Sequence, residues 1–173
     1  AKENTGKGNG AEGMELKEID INSLTVSEDY CRIDSDDNSS LEESIEREGM
    51  LEPLHVYKNE KGGYTIADGV RRFKAAIKKG WKEVPCLIIN GLTQAGAARL
   101  SYINNVERKT YSVIEDARAI RNLKDKHGYT LRELETMGCG SHSSIANKLQ
   151  LLDLPEEVQI KIHKGKITAA HGL

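Results

Sequence analysis

The chain has 173 residues, of which 38% are hydrophobic, 30% are charged and 5% are aromatic, and its formal net charge is −2. This length suits one larger domain or two small ones, with enough apolar content for a core. No apolar run is long enough to span a bilayer and no secretory signal opens the chain, so a membrane protein is not expected. The slightly acidic balance is unhelpful for nucleic-acid binding, which usually relies on a basic surface.

The three cysteines, Cys31, Cys86 and Cys139, are odd in number and far apart. This spacing fits neither a disulfide framework nor a set of metal ligands. The sequence therefore predicts reduced thiols, with Cys86 buried in a strand.

The N-terminal part of the chain predicts a tail, a strand and a helix. Residues 1–13 are glycine-rich and polar, which is typical of a disordered tail. Residues 16–21 have the pattern of a short strand. Ser39 and Glu42 have the spacing of a capping box at the start of a helix, which Gly49 ends.

The next segments predict two paired strands, a helix and a buried strand. Residues 54–57 and 64–66 alternate like strands and are joined by the glycine-containing turn 59–63. A helix is expected from Gly69 to about residue 79, and residues 84–89 are apolar enough for a buried strand. The first half therefore predicts an α+β unit with mixed strand order.

The most informative motif of this half is the start of that helix. Gly69 leads into it and is followed by Arg71 and Arg72. A glycine-led turn into a helix directs backbone N–H groups towards an anion, and forked guanidinium donors suit phosphate oxygens. The alternative is a surface helix with solvated arginines, and the motif alone does not decide between the two.

From Thr93 onwards the spacing of apolar residues is helical. Long helices are predicted at 95–108 and 112–126, and shorter ones at 131–137, 141–152 and 156–163. Thr130 and Glu133 are placed to cap the first short helix. The turn Gly138-Cys139-Gly140 joins two short helices, which is typical of a helix-turn-helix. An ordinary helical hairpin is the alternative.

The second helix of this motif would present several polar side chains to DNA. Asparagine pairs well with adenine and lysine with guanine. Gln150 is expected to lie further round the helix, and Ser141 or Ser143 also suits a capping role. The candidate DNA-binding residues are Ser141, His142, Ser143, Ser144, Asn147 and Lys148.

Four stretches in this order resemble the ParB family, the CTP-dependent DNA clamps of chromosome and plasmid partition. They are residues 41–54, 69–75 with Gly80, Val84 and Pro85, 104–108 with 114–117, and 130–155. The resemblance implies a ParB/sulfiredoxin-like mixed-sheet domain at 14–92 that binds nucleotide, followed by an all-helical region. In that region, helices at 93–127 complete the nucleotide site and 128–173 form the DNA-binding helix-turn-helix domain. The family's C-terminal dimerisation domain is expected to be absent.

The resemblance also implies CTP and Mg²⁺ as ligands. Gly69, Arg71 and Arg72 match the family's triphosphate-binding turn, and Asn105 and Arg108 match positions that face the phosphates and the metal. Asn104 and Asn105 are the expected metal ligands. The family's usual glutamate is Asn104 here, and an amide oxygen contributes no charge to Mg²⁺. We therefore expect weak CTPase activity at most and assign no catalytic residue.

The resemblance implies a nucleotide-gated DNA clamp in partition or regulation. Its expected partners are double-stranded DNA, a second copy of the chain and a ParA-like ATPase, in the cytoplasm on the nucleoid or a plasmid. One alternative is a transcriptional regulator with a degenerate nucleotide pocket, which Val70 and Asn104 favour, since the family usually has acids there. The other is a small kinase- or nuclease-like enzyme on the same fold. The related sulfiredoxins use a cysteine where this chain has Val70, the acidic and histidine-rich positions of the related serine kinases are not evident, and no cluster of metal-binding carboxylates is present.

Overall fold

The chain folds into two compact units in a computed structural model that describes residues 13–33 and 38–172. The first unit comprises residues 13–27 and 38–93. The second comprises residues 28–33 and 94–172 and so contains both the connecting helices and the helix-turn-helix segment. The tail expected at 1–13 lies outside the described residues, apart from its last member.

A mixed five-stranded sheet, with strand order β1-β5-β3-β4-β2, forms the first unit. Strand β5 pairs antiparallel with β1 and parallel with β3, whereas β4 pairs antiparallel with β3 and parallel with β2. This arrangement confirms the α+β class. The strands are β1 (Met14–Asp20), β2 (Leu24–Val26), β3 (Leu54–Lys58), β4 (Tyr64–Asp68) and β5 (Glu83–Ile89).

Two helices, α1 (Ser39–Glu48) and α2 (Val70–Lys78), complete the first unit. Helix α2 contacts both α1 and strand β3. Alternate strand residues, including Leu54, Val56 and Val84, are fully buried, as expected for a sheet whose one face is covered. Helix α1 starts one residue earlier than the capping-box spacing predicts, because Asn38 rather than Ser39 is its N-cap.

The second unit is all-helical. Helix α4 continues as a π-helical turn at Asn122–Lys126, and a 3-10 turn at Leu151–Asp153 follows α6. Its core centres on Ile120, Leu134 and Ile145, each fully buried, so α4 and the two short helices share one apolar cluster. The helices are α3 (Gln94–Glu107), α4 (Val113–Arg121), α5 (Leu131–Thr136), α6 (His142–Gln150), α7 (Glu156–His163) and α8 (Ala169–Gly172).

Residues 28–33, which we name the strap, belong to the second unit although they precede α1 in the chain. Asp29 accepts hydrogen bonds from Asn122 and Lys126, both at 2.9 Å. At the other end, the Ile33 amide donates to the buried Glu115 carboxylate at 2.9 Å. The strap therefore runs along α4 from its C-terminal extension to its first turn.

Within the described ranges, no helix is both long and apolar enough to cross a membrane.

Candidate functional site

The turn into α2 adopts a backbone conformation that requires glycine. Gly69 is the N-cap of α2 with a φ of 105°, in the left-handed region. A Cβ atom at this position would lie 2.7 Å from Leu54 Cδ2 and 3.0 Å from Arg72 Nη2. Any side chain here would therefore strain the backbone and clash with β3. The chain approaches itself closely at the point where the sequence predicts an anion site.

Arg71 links the beginnings of the two helices of the first unit. Its Nε and Nη2 atoms donate to Asn38 Oδ1 at 3.0 and 2.6 Å. Neither N-cap residue, Asn38 of α1 or Gly69 of α2, makes a side-chain hydrogen bond to the first turn of its helix. The N–H groups of a first turn and the positive end of the helix dipole make a helix start attractive to anions. The starts of two helices and a guanidinium group thus lie together.

Arg72 is held differently from its neighbour. Its Nη1 atom donates to the backbone carbonyls of Glu52 and Pro53, the latter at 3.0 Å. The guanidinium group also lies 3.9 Å from the Asp68 carboxylate, and the side chain is only 15% exposed. These contacts fix the chain that enters β3 against the end of β4. Arg72 is therefore part of the architecture of the turn.

The predicted phosphate and metal residues of the second unit lie at the C-terminal end of α3. The Asn105 side chain donates to Ser101 O at 2.7 Å and accepts from Thr110 Oγ1 at 2.7 Å. Arg108 is exposed just beyond the helix, and Asn104 is half-buried. The partial negative charge of a helix C-terminus favours a cation over a phosphate. This end of α3 therefore favours a cation over an anion, and the cation could be a metal ion or the guanidinium group of Arg108.

The described residues are better suited to bind the phosphates of CTP than to bind Mg²⁺. The helix start at Gly69, beside Arg71, fits a phosphate chain. The described residues contain no cluster of three or more histidine, cysteine or acidic side chains that could hold a metal ion. Hard cations prefer carboxylate ligands, and the Asn105 amide is already engaged at both ends. A Mg²⁺ site built from protein ligands alone does not fit, and the assignment of Asn104 and Asn105 stays a prediction.

Helix α6 is preceded by the predicted N-cap. Ser141 Oγ accepts a hydrogen bond from the Ser144 amide at 3.3 Å. The His142 amide donates to Glu135 Oε1 at 2.9 Å, which ties the start of α6 to α5. Both contacts satisfy amides of the first turn that would otherwise have no partner.

The outward face of α6 carries a continuous exposed stripe. Ser143, Ala146, Asn147 and Gln150 are all exposed, and their spacing places them on one side of the helix. Gln150 therefore lies on the same face as Asn147, although the sequence suggested that it lies further round. Because Gln150 follows Asn147 by three residues, helical spacing alone would have justified adding it to the candidate DNA-binding residues. Lys148 points elsewhere, since its side chain is only 21% exposed.

Profiles of two known domains match the chain almost end to end. The ParB N-terminal domain matches residues 5–106 and the ParB HTH domain matches residues 109–173. The chain belongs to the ParB family. It is also 37% identical over 161 residues to a nucleoid occlusion protein of Bacillus thuringiensis (strain Al Hakam), with 91% of this chain and 54% of the relative covered. This ParB-family chain thus spans about half the length of the curated relatives it matches.

Two solved structures of a C-terminally truncated ParB from Caulobacter crescentus resemble this ParB-family chain. One is complexed with CTP-γ-S and is 31% identical, with 91% of this chain and 89% of that chain covered and a TM-score of 0.50. The other is complexed to the centromeric parS site and is 30% identical, with 90% and 82% covered and a TM-score of 0.56. Both similarities extend over the two units.

Proposed function

We propose that this protein binds CTP and a specific DNA site and acts as a nucleotide-gated DNA clamp in partition or regulation. The triphosphate would bind at the turn Gly69–Arg72, with Asn104, Asn105 and Arg108 assigned by family resemblance. The exposed face of α6 would enter the major groove of DNA. Self-association promoted by nucleotide belongs to the same proposal, as does a ParA-like ATPase partner.

The observation that supports the nucleotide part most strongly is the environment of Arg71. Its guanidinium group lies beside the starts of α1 and α2, and its partner among the described residues is the Asn38 side chain. Within the described residues, Asn38 accepts from two of the five N–H donors of this group, which leaves donors for phosphate oxygens. A ParB relative has been solved with CTP-γ-S, which supports CTP as the nucleotide.

We expect Arg71→Ala to weaken CTP binding about tenfold or more. A hydrogen bond to a charged group contributes about 1.5–3 kcal/mol, and the substitution removes the cation beside the phosphates. Isothermal calorimetry with CTP, ATP, GTP and UTP measures both the loss and the preference for CTP.

Lys78→Ala is the matched control, because Lys78 is a cation in the last turn of the same helix and pairs with Glu42. It should leave CTP affinity unchanged. If wild type and Arg71→Ala bind CTP with equal affinity, the triphosphate does not bind at this turn.

The DNA part of the proposal rests on α5, the glycine turn and α6. The exposed stripe of α6 includes Asn147, which suits a hydrogen bond to adenine. The solved complex of a ParB relative with its centromeric site supports this use of the helix pair. Residues 111–173 contain nine lysines and arginines and eight acidic residues, so non-specific affinity for DNA should be modest and readily lost when salt is added.

A second expected outcome concerns turnover of bound CTP. If Asn104 lies beside the nucleotide, an amide in place of a carboxylate leaves little charge to hold Mg²⁺. Wild type should then hydrolyse CTP very slowly, and Asn104→Glu should raise the rate. Phosphate release is measured with and without DNA for both proteins and for Glu107→Gln. If wild type hydrolyses CTP rapidly and only Glu107→Gln abolishes this activity, Glu107 is the catalytic acid and the account of Asn104 is wrong.

One competing function has a specific observation in its favour. Val70 is 7% exposed, so the residue after the turn glycine packs into the core. A DNA-binding regulator with a degenerate nucleotide pocket would show such apolar replacement. This reading predicts selection of a DNA sequence without measurable CTP binding in calorimetry. Detectable CTP binding would exclude it.

A further inference from the structure

Lys148 lies on α6 but its ammonium group points into the second unit. Its Nζ atom lies 2.7 Å from Asp116 Oδ2 and donates to the carbonyl of Cys139 at 2.8 Å. The Lys148 and Asp116 side chains are 21% and 17% exposed. A largely desolvated pair of this kind is costly to separate, because each charge would be left without a partner.

Asp116 is itself fixed by a buried hydroxyl group. Tyr102 is 1% exposed, and its hydroxyl donates to Asp116 Oδ1 at 2.8 Å. Both carboxylate oxygens are therefore engaged, one by α3 and one by α6. The hydrogen bonds Tyr102–Asp116–Lys148–Cys139 join α3, α4, the glycine turn and α6 in one connected set, which we name the positioning network.

The turn Gly138-Cys139-Gly140 packs closely against α6 near Lys148. Gly140 has a φ of 106°, and a Cβ atom there would lie 2.8 Å from Ser144 Oγ. Lys148 binds the carbonyl of the preceding residue, Cys139, whose side chain is fully buried. The lysine thus connects the turn to the helix, and Asp116 connects that helix to α4.

We propose that Lys148 is a positioning residue for α6, which acts through Asp116 and does not itself read a base. This inference rests on the proposed function of α6 as the helix that binds DNA. It assigns base contacts to the exposed stripe, where Asn147 and Gln150 lie. It also makes Asp116, an acidic residue away from that stripe, a determinant of DNA affinity.

The test is a double-mutant cycle on Asp116 and Lys148. The probe is the duplex that wild type enriches from a randomised library, with binding measured by fluorescence anisotropy at several KCl concentrations. Asp116→Asn and Lys148→Met should each weaken DNA binding about tenfold. The double variant should bind DNA at least as tightly as whichever single variant binds less tightly, since the effects of coupled residues are not additive. The slope of affinity against salt should stay that of wild type, because no phosphate contact is lost.

Two controls separate positioning from direct contact. Lys148→Arg, which keeps a cation that can reach Asp116, should restore most of the affinity. Asn147→Ala should relax sequence preference and show no coupling to Asp116→Asn.

Direct contact by Lys148 predicts a different result. Asp116→Asn would then bind as well as wild type or better, because it releases the lysine. Lys148→Met would lose affinity and lower the salt slope by about one. That pair of outcomes would overturn the proposal.

If wild type enriches no duplex, the proposed DNA binding fails, and a second measurement still decides the positioning role. Hydrogen exchange of the amides at 138–150 should be faster in both Asp116→Asn and Lys148→Met than in wild type. Unchanged exchange in the two variants would contradict the positioning network without reference to DNA.

Discussion

Two adjacent arginines of identical chemistry have different surroundings. Within the described residues, Arg71 hydrogen-bonds the amide side chain of Asn38, whereas Arg72 donates to two backbone carbonyls and faces Asp68. Hydrogen bonds to a charged group contribute to stability, so Arg72 contributes to folding before it can contribute to binding. The residue type predicts affinity for phosphate at both positions, but only the fold separates their roles.

Arg72→Ala should lower the free energy of unfolding by about 1.5–3 kcal/mol, the usual contribution of a hydrogen bond to a charged group. Urea unfolding followed by circular dichroism measures this loss. Lys78→Ala, an exposed lysine on the same helix, should change stability by no more than about 0.5 kcal/mol. An Arg72→Ala protein as stable as wild type would mean that the carbonyl contacts do not matter for folding.

Capping interactions set where the helices of the second unit begin. Thr130 and Glu133 form the capping box that their spacing predicts, and Ser112 and Glu115 form a second one. Glu115 also accepts from Ile33, so a single carboxylate serves both a helix start and the strap. The first role is local and visible in the sequence, whereas the second is not.

Thr130→Ala should destabilise the chain by about 1 kcal/mol, the usual effect of losing an N-cap. The backbone and hydroxyl of Thr130 both hydrogen-bond Glu133 and lower the pKa of its carboxyl group. The contribution of Glu133 is therefore present at neutral pH and is lost as the carboxyl group becomes protonated in acid. Thermal unfolding at several pH values measures both effects. Thr136→Ala, in the last turn of the same helix, should have little effect; equal losses in both variants would argue against the cap.

The sequence predicts most elements because their signals are local. Apolar spacing and Gly69 locate α2, and Thr130 and the glycine turn locate α5 and α6 within one or two residues. Strand β2 was missed, since its three residues are too few to show alternation. The inward direction of Lys148 depends on Asp116, which lies on another helix, so helical spacing alone assigned it to the DNA face.

At the scale of the whole molecule, the strap is the feature that local signals could not reveal. The hydrogen bond from Ile33 to Glu115 joins residues 82 positions apart. Cys31 packs against the main core cluster of the second unit. Burial and the charge of Asp29 raise the pKa of the Cys31 thiol to about 11, so it should be unreactive at neutral pH.

Asp29→Ala should weaken attachment of the strap. Burial acts to raise the pKa of the Asp29 carboxyl group, but hydrogen bonds from Lys126 and Asn122 and the nearby His127 outweigh it and lower the pKa. Its stabilising effect is therefore complete above the carboxyl pKa of an unfolded chain, about 3.9. The effect disappears as the pH falls through the lower folded-state pKa.

At pH 7 the loss should be about 1.5–3 kcal/mol, as for hydrogen bonds to a charged group, and it should shrink in acid. Chemical unfolding across pH measures it. Glu28→Ala is the matched control, because Glu28 is also on the strap and pairs with Lys126 but is 86% exposed. Similar losses in both variants would contradict a special role for Asp29.

The strap also limits how this architecture can be recombined. The chain enters the second unit at residue 28, returns to the first for α1, and enters the second again at residue 94. A chimaera joined only near residue 93 would inherit the helices but receive its strap from the other parent. Glu115 and Asn122 would then face strap residues from the other parent. The buried Glu115 carboxylate would be stable only if those residues replaced its hydrogen bonds. Exchange of the proposed DNA-contacting residues is thus simplest by substitutions on α6, whereas exchange of the whole helical unit requires two separate stretches of the gene.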